Sequence, residues 1–369
     1  MRYVLVGPVY PYRGGIAHHT AQLAHALTER GHQVLVISFK RQYPSWLYPG
    51  ASDKDPSQIF TTTDADFLLD PIYPWTWQKA IQRIKSFSAD LVVFQWWTTF
   101  WAFAFASMSN YCRRNAISVA YMLHNVLPHE PHSWDPWLAR RALHNGKTII
   151  AQNPHEARKL LDLLPHAEVK ICEMPVYNGI ISPIIPKAEA RKMLQIDEGT
   201  PVVLFFGIVR PYKGLHILLD ALAIMKENGQ FPLLVAAGEF WDDQNSYLQQ
   251  IKELGLQGQV RIDNRYIPNE EAGIYFSAAD VLVAPYLAGT QSAAAALALG
   301  RGMPVILTER IAACIPQVYR ALIRVVPAGN AEALANSLES FPDVDTSSTL
   351  PQVDPGTDWE RMVLVLETL

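Results

Sequence analysis

Twice along these 369 residues, short apolar runs alternate with stretches long enough for a helix, and this rhythm restricts the fold more than any other feature. In the first half the runs fall at residues 4–6, 34–37, 91–94, 117–123, 148–151 and 169–171. In the second they fall at 202–206, 233–236, 260–262, 281–284, 305–307 and 323–326. Apolar runs without polar alternation suit strands buried on both faces, as in parallel sheets covered by helices on each side. The pattern predicts an α/β chain with two Rossmann-like, doubly wound parallel sheets in series. The length also exceeds one ordinary core and suits two.

Pro175, Gly179, Pro183 and Pro186 stop helix or strand from running through the middle of the chain. The expected domains are therefore 1–178 and 186–342. Residues 343–369 begin polar and proline-rich and end apolar at helical spacing, which reads as a tail helix packing back on the N-terminal domain. The stretch from Lys40 to Pro74 carries aromatic-proline clusters and no clear period, a place for a substrate-specific loop.

Composition excludes some classes of function. With 31 basic and 35 acidic residues the formal charge is -4, which offers no field for nucleic-acid phosphates, so no nucleic-acid partner is expected and any anion site must be local. Cys112, Cys172 and Cys314 are far apart and read as free thiols in a reducing compartment. The apolar start of the chain is too short for a signal peptide, and the most apolar window, 91–108, is broken by Gln95, Thr98 and Thr99. That window reads as a strand and a helix, not a membrane span. The expected location is cytoplasmic, with room for weak peripheral association with the inner face of the membrane.

In doubly wound sheets ligands bind beyond the carboxyl ends of the strands, so the turns after each run carry the candidates. Gly14-Gly15 follows the first strand and opens a helix, where backbone N–H groups and the positive helix end suit a phosphate; plain tight packing is the alternative. The opening strand of the second half ends in Gly207-Ile208-Val209-Arg210-Pro211-Tyr212-Lys213-Gly214. Two cations on such a turn match the needs of a leaving diphosphate, although exposed Arg and Lys are usually only solvated. Thr290-Gln291-Ser292 precedes an alanine-rich helix, and simple capping by Thr290 or Ser292 is the plainer reading. His124 ends the run 117–123 and can present its polar edge to a ligand, whereas His18, His19, His129 and His132 read as structural.

The string Asp64-Ala65-Asp66 has no strand before it and reads as chance, so no metal site is expected. The aromatic cluster Phe94, Trp96, Trp97, Phe100, Trp101, Phe103 and Phe105 reads mainly as core, with room for an exposed patch touching a lipid or sugar-ring acceptor.

These pieces resemble, in order and over almost the whole chain, retaining glycosyltransferases of family 4, also called group 1, with two Rossmann-like domains facing a cleft (GT-B type). The resemblance rests on Gly14-Gly15-Ile16-Ala17, His124-Asn125, Arg210-Pro211-Tyr212-Lys213-Gly214-Leu215, Thr290-Gln291-Ser292 leading to Gly302-Met303-Pro304-Val305, and Trp359-Glu360-Arg361. It implies a nucleotide-diphosphate sugar as co-substrate, held mainly by the second domain. Arg210 and Lys213 would bind its diphosphate, with Gly14, Gly15, Thr290, Gln291 and Ser292 around the same group. His124 would be the catalytic residue near the transferred sugar. Gly207, Glu239 and Tyr266 are weaker candidates for nucleotide or sugar contacts.

The resemblance further implies a hexose-type sugar, transfer with retention, no metal, and an acceptor that is a sugar, a lipid-linked saccharide or a small molecule. Members often carry two glutamates before the Gly-x-Pro-Val strand; the matching positions here are Gly289 and Leu297, which points to a subset with Thr-Gln-Ser in that place. The usual arginine after Gly207 is Ile208, and Arg210 takes its role. The competing reading is a degenerate nucleotide-sugar-binding protein without turnover. An epimerase or phosphorylase ranks lower, for no lysine motif suggests a pyridoxal cofactor.

Overall fold

The computed structural model describes residues 1–44, 48, 50, 52–58, 63–128, 131–177, 185–289, 291–340 and 356–369. The chain divides into two compact units, one of residues 1–55, 61–175 and 356–369, the other of 56–60 and 176–355. Residues 178–184, at the centre of the expected boundary, lie outside the described residues.

In the first unit β1 (Arg2–Val6), β2 (Gln33–Phe39), β3 (Ala65–Leu69), β4 (Leu91–Trp96), β5 (Ser118–Leu123), β6 (Thr148–Ala151) and β7 (Val169–Ile171) form a seven-stranded sheet in the order β3-β2-β1-β4-β5-β6-β7. Every pairing is parallel. The connecting helices are α1 (Gly15–Glu29), α2 (Pro74–Phe87), α3 (Ala102–Arg114), α4 (Asp135–Leu143) and α5 (Pro154–Leu163). The window 91–108 separates into β4 and the start of α3. No helix among the described residues is long and apolar enough to cross a membrane. The core is aromatic: Phe94, Trp96, Trp101 and Phe105 are buried, while Phe103 of the same cluster is 50% exposed.

One strand departs from the sequence expectation. β3 lies inside the stretch 40–74, so Asp64-Ala65-Asp66 runs into a strand instead of an irregular loop. Asp66 accepts a hydrogen bond from Arg83 Nε of α2 at 2.5 Å, which uses its carboxylate in an ion pair. β3 escaped notice because it pairs only with β2 and carries Asp66 and the exposed Phe67, so continuous burial leaves no signature in it.

In the second unit β8 (Val202–Phe206), β9 (Leu233–Ala237), β10 (Val260–Asp263), β11 (Val281–Ala284), β12 (Val305–Thr308) and β13 (Ile323–Val326) form a parallel sheet in the order β10-β9-β8-β11-β12-β13. α6 (Lys187–Met193), α7 (Leu215–Glu227), α8 (Gln244–Glu253), α9 (Asn269–Ala278), α10 (Ala293–Gly300), α11 (Glu309–Ala312) and α12 (Ala331–Glu339) surround it. Residues 56–58 are tied to the start of α9: Asn269 N donates to Ser57 Oγ at 2.9 Å, and Gln58 N donates to the Glu270 carboxylate at 3.2 Å.

The last helix, α13 (Gly356–Glu367), belongs to the first unit and packs on α1. Trp359, Met362, Val363 and Leu366 are its buried face. Strand order reverses between β1 and β4 in one sheet and between β8 and β11 in the other, which marks the crevice at the carboxyl ends of those strands as each sheet's natural ligand position.

Candidate functional site

In the second unit, the chain leaves β8 at Gly207, forms a single 3-10 turn over Pro211–Lys213, and enters α7 through Gly214. Two glycines allow this crowded junction. A Cβ on Gly238 would lie 2.0 Å from the Gly207 carbonyl oxygen, and one on Gly214, whose φ is +73°, would lie 2.2 Å from that of Pro285. The ends of β8, β9 and β11 therefore meet backbone to backbone. Hydrogen bonds from Val209 N to Glu239 O at 2.9 Å and from Leu287 N to Tyr212 O at 2.7 Å stitch the three loops together.

On these loops Arg210 and Lys213 are half-buried and face aromatic rings. The Arg210 guanidinium lies 5.5 Å from the ring centre of Trp241, and Lys213 Nζ lies 5.5 Å from that of Tyr286. Among the described residues neither cation has a carboxylate within ion-pair distance. Burial pushes the Lys213 pKa below its ordinary value, and the Arg210 charge adds to this while Tyr212 opposes it. Two unneutralised, partly desolvated cations at the carboxyl edge of a switch-point strand suit an anion, because a bound anion would offset their desolvation.

The other second-unit candidates are distributed around this turn. Gly207 stands at its start, 3.7 Å from Lys213 Nζ measured from a Cβ built on it. Glu239 accepts from Trp241 Nε1 at 3.0 Å, so its carboxylate is anchored to the ring that faces Arg210. Tyr266 is half-buried in the loop between β10 and α9. Thr290 lies outside the described residues, and Gln291 is half-buried just before α10. Ser292 is the N-cap of α10: its Oγ accepts from Ala295 N at 3.2 Å, pairs with the Tyr286 hydroxyl at 3.2 Å, and is buried. That hydroxyl holds the helix start and the ring beneath Lys213.

In the first unit, Gly14 is the N-cap of α1 with φ +109°, and the cap has no side-chain hydrogen bond. A Cβ on Gly14 would meet nothing within 4 Å, and Gly15 is the first helical residue at the positive end of α1. His124 follows β5 and is 4% exposed. Its Nε2 lies 2.7 Å from Gln95 Oε1; the amide oxygen accepts, which puts the imidazole proton on Nε2. The His19 ring of α1 meets the His124 ring edge to face at 4.9 Å, and Gln152, just past β6, lies 3.1 Å from His19 Nε2. Trp359 of α13 closes the group at 5.2 Å from His19. Burial, and then the neighbouring His124, hold the His19 pKa well below the ordinary histidine value.

Comparison with known proteins fits both halves. Residues 13–180 match the family described as Glycosyltransferase Family 4, and residues 186–344 match that described as Glycosyl transferases group 1. The chain belongs to these family 4, group 1 glycosyltransferases. A 147-residue stretch is 30% identical to the D-inositol 3-phosphate glycosyltransferase of Thermobispora bispora, covering 37% of this chain and 34% of that protein. The match thus spans about a third of the relative's length. Among solved structures, HepE of Anabaena in complex with UDP superposes with a TM-score of 0.71 at 18% identity, covering 100% of both chains. Sucrose-phosphate synthase of Thermosynechococcus elongatus gives 0.67 at 18% identity, covering 99% of this chain and 94% of the other. These likenesses identify the fold as GT-B.

Within this family 4 chain, the local structure gathers Gly207, Arg210, Lys213, Glu239 and Ser292 around one junction of the second unit, and Gly14, Gly15 and His124 at the carboxyl edge of the first sheet. Sequence reasoning read His19 as structural and passed over Gln95, which the fold brings against His124, and Gln152, which it brings against His19. One signal was available for Gln95: it is an amide inside the fully buried strand Leu91–Trp96, and a buried amide demands a hydrogen-bonding partner.

Proposed function

We propose that the protein transfers a hexose-type sugar from a nucleotide-diphosphate sugar to an acceptor hydroxyl, with retention and without a metal. The observation that carries this reading is the pair Arg210 and Lys213, two half-buried cations without a carboxylate partner among the described residues, on the turn that follows β8. A departing nucleoside diphosphate accumulates negative charge, and fixed cations in a partly desolvated site stabilise it more strongly than water does. Gly14, Gly15, Thr290, Gln291 and Ser292 are assigned to the same diphosphate, Gly207, Glu239 and Tyr266 to the nucleotide or sugar, and His124 to the transferred sugar. A uridine nucleotide carrying glucose is the first donor to test, supported by the complexes of HepE with UDP and with UDP-glucose. The acceptor is a sugar, a lipid-linked saccharide or a small molecule; the D-inositol 3-phosphate glycosyltransferase relatives make a phosphorylated polyol a natural first choice.

The second reading, a nucleotide-sugar-binding protein without turnover, is favoured by Gly289 and Leu297, which stand where the family resemblance implies two glutamates. Binding of UDP, GDP, ADP and TDP, followed by donor hydrolysis and transfer with the tightest base, separates the two. Turnover supports the transferase, binding without turnover supports the second reading, and no binding of any nucleoside diphosphate overturns both.

A further inference from the structure

His19, near the start of α1, has no exposed surface, and neither has Gln95 of β4 or Gln152, just past β6. Gln95 bonds His124 directly, whereas Gln152 reaches it only through His19. An amide nitrogen cannot accept, so the 3.1 Å contact is a hydrogen bond donated by Gln152 Nε2 to His19 Nε2. An accepting ring nitrogen carries no proton, which places the His19 proton on Nδ1 and keeps the ring neutral. Burial, and then His124, press the His19 pKa in the same direction. The His19 ring meets that of His124 at 4.9 Å with the planes 89° apart, and Trp359 lies against His19 at 5.2 Å.

Packing alone does not call for this arrangement. His19 Nδ1 and Gln95 Nε2 are buried without a hydrogen-bond partner among the described residues. Unpaired buried polar atoms are destabilising, and apolar side chains of similar shape would fill the same space without that cost. The backbone is fitted to the group as well: a Cβ on Gly7, just past β1, would lie 2.5 Å from Gln95 Cγ and 3.0 Å from Thr20 Oγ1. A polar group kept against stability, at the carboxyl edge of the sheet, is the local inconsistency expected where function overrides packing.

We propose that His19 is a positioning residue for His124, held in place by the Gln152 amide and by the Trp359 ring, so that the C-terminal helix α13 takes part in ordering the reactive imidazole. A hydrogen bond at one atom leaves a ring free to rock about that atom. Gln95 supplies such a bond at His124 Nε2, and the His19 ring, set at right angles, removes the rocking. A group that must meet a sugar needs both constraints, because a reactive side chain works only when its own orientation is locked by its neighbours. His19 acts through His124 and not on the sugar. This rests on the reading that gives His124 a role in transfer, and adds the residues that aim it.

The test reads the His124 ring directly, by nitrogen–proton correlation spectra of the imidazoles in the full chain, and turnover with UDP-glucose. The spectra need no donor. In the native chain His124 is expected as one tautomer, protonated on Nε2. His19→Ala and Trp359→Ala should each turn it into a mixture of tautomers. Each should also lower kcat by roughly ten-fold or more with donor KM within about two-fold, since a misplacement of about 1 Å can cost 10²-fold. The paired substitution His19→Phe with Gln152→Leu keeps a ring against His124 and removes donor and acceptor together, so it should restore the single tautomer and most of kcat. An unchanged His124 spectrum in His19→Ala overturns the proposal. So does a folded paired variant as impaired as His19→Ala, or an equal loss of kcat and donor affinity, which would make His19 a packing residue. His124→Ala separates this from the reading beneath it: native turnover in that variant removes the role of His124 itself, whereas its inactivity beside a fully active His19→Ala removes the positioning role alone.

Discussion

Lys213 and Arg210 stand on a turn and support neither core, so removing either charge should change chemistry before it changes stability. Lys213→Ala and Arg210→Ala are each expected to lower transfer by about 10²–10³-fold, the usual loss for one preorganised group facing developing charge, with the thermal midpoint nearly unchanged. Wild-type turnover in both variants would remove the diphosphate assignment. The depressed pKa of Lys213 adds a pH signature. An anionic diphosphate favours the charged amine, so binding raises the pKa, takes up protons at alkaline pH, and weakens as pH rises through the free-state value. Calorimetry of nucleoside diphosphate binding in two buffers of different ionisation enthalpy measures this uptake. In the first unit, Gln95 fixes the His124 tautomer through a 2.7 Å hydrogen bond. Gln95→Leu should therefore lower kcat by about ten-fold or more with nucleotide affinity intact, consistent with loss of an oriented acid–base group. An equal fall in affinity and kcat would assign Gln95 to packing alone.

At the scale of elements, the junction after β8 is a knot of three strand ends held by close backbone approach. Gly238→Ala would place a methyl 2.0 Å from the Gly207 oxygen, and Gly214→Ala one 2.2 Å from the Pro285 oxygen. Neither obstacle is a flexible side chain that can swing aside. Each substitution should cost about 2–3 kcal/mol of stability and weaken nucleotide binding together, because the same movement displaces Arg210 and Lys213. Urea denaturation and nucleotide titration of the same variants check this, and a stable variant that binds normally would show that the strand ends can part. β3 makes a complementary point about elements. An edge strand with one neighbour is not buried on both faces, so its sequence carries Asp66 and Phe67 and escapes a search for apolar runs.

At the scale of the whole molecule, the C-terminal helix completes the first unit. Leu366 is fully buried on α1, and Leu366→Ala should cost about 2–5 kcal/mol, read as a fall in the thermal midpoint of the first unit. The rim of the same contact is ionic, with Arg30 bonded to Glu360 at 3.0 Å and Glu367 held by Arg30 at 3.1 Å and His32 at 2.8 Å. Those hydrogen bonds, Arg30 first and His32 second, hold the Glu367 carboxyl below its ordinary pKa. A depressed folded-state value means that this contribution is present above the unfolded carboxyl pKa and is lost as pH falls through the folded one. Hydrogen exchange of residues 356–367 should accelerate on acidification before the central strands do; uniform protection down to global unfolding would show that the apolar face alone anchors the helix.

Amino-acid order alone determined that there are two covered parallel sheets, because a strand buried on both faces must be written as a continuous apolar run, and all six runs of the second half are strands. It also located the cationic turn, since Arg210, Lys213 and the glycines around them are neighbours in the chain. Only tertiary structure decided that those cations lack carboxylate partners among the described residues, and that Gln95, His124, His19 and Gln152 form one buried group. Hydrogen bonds between residues 29 and 133 positions apart leave no local pattern, for it is the parallel stacking of β4, β5 and β6 that brings their carboxyl ends together beside α1.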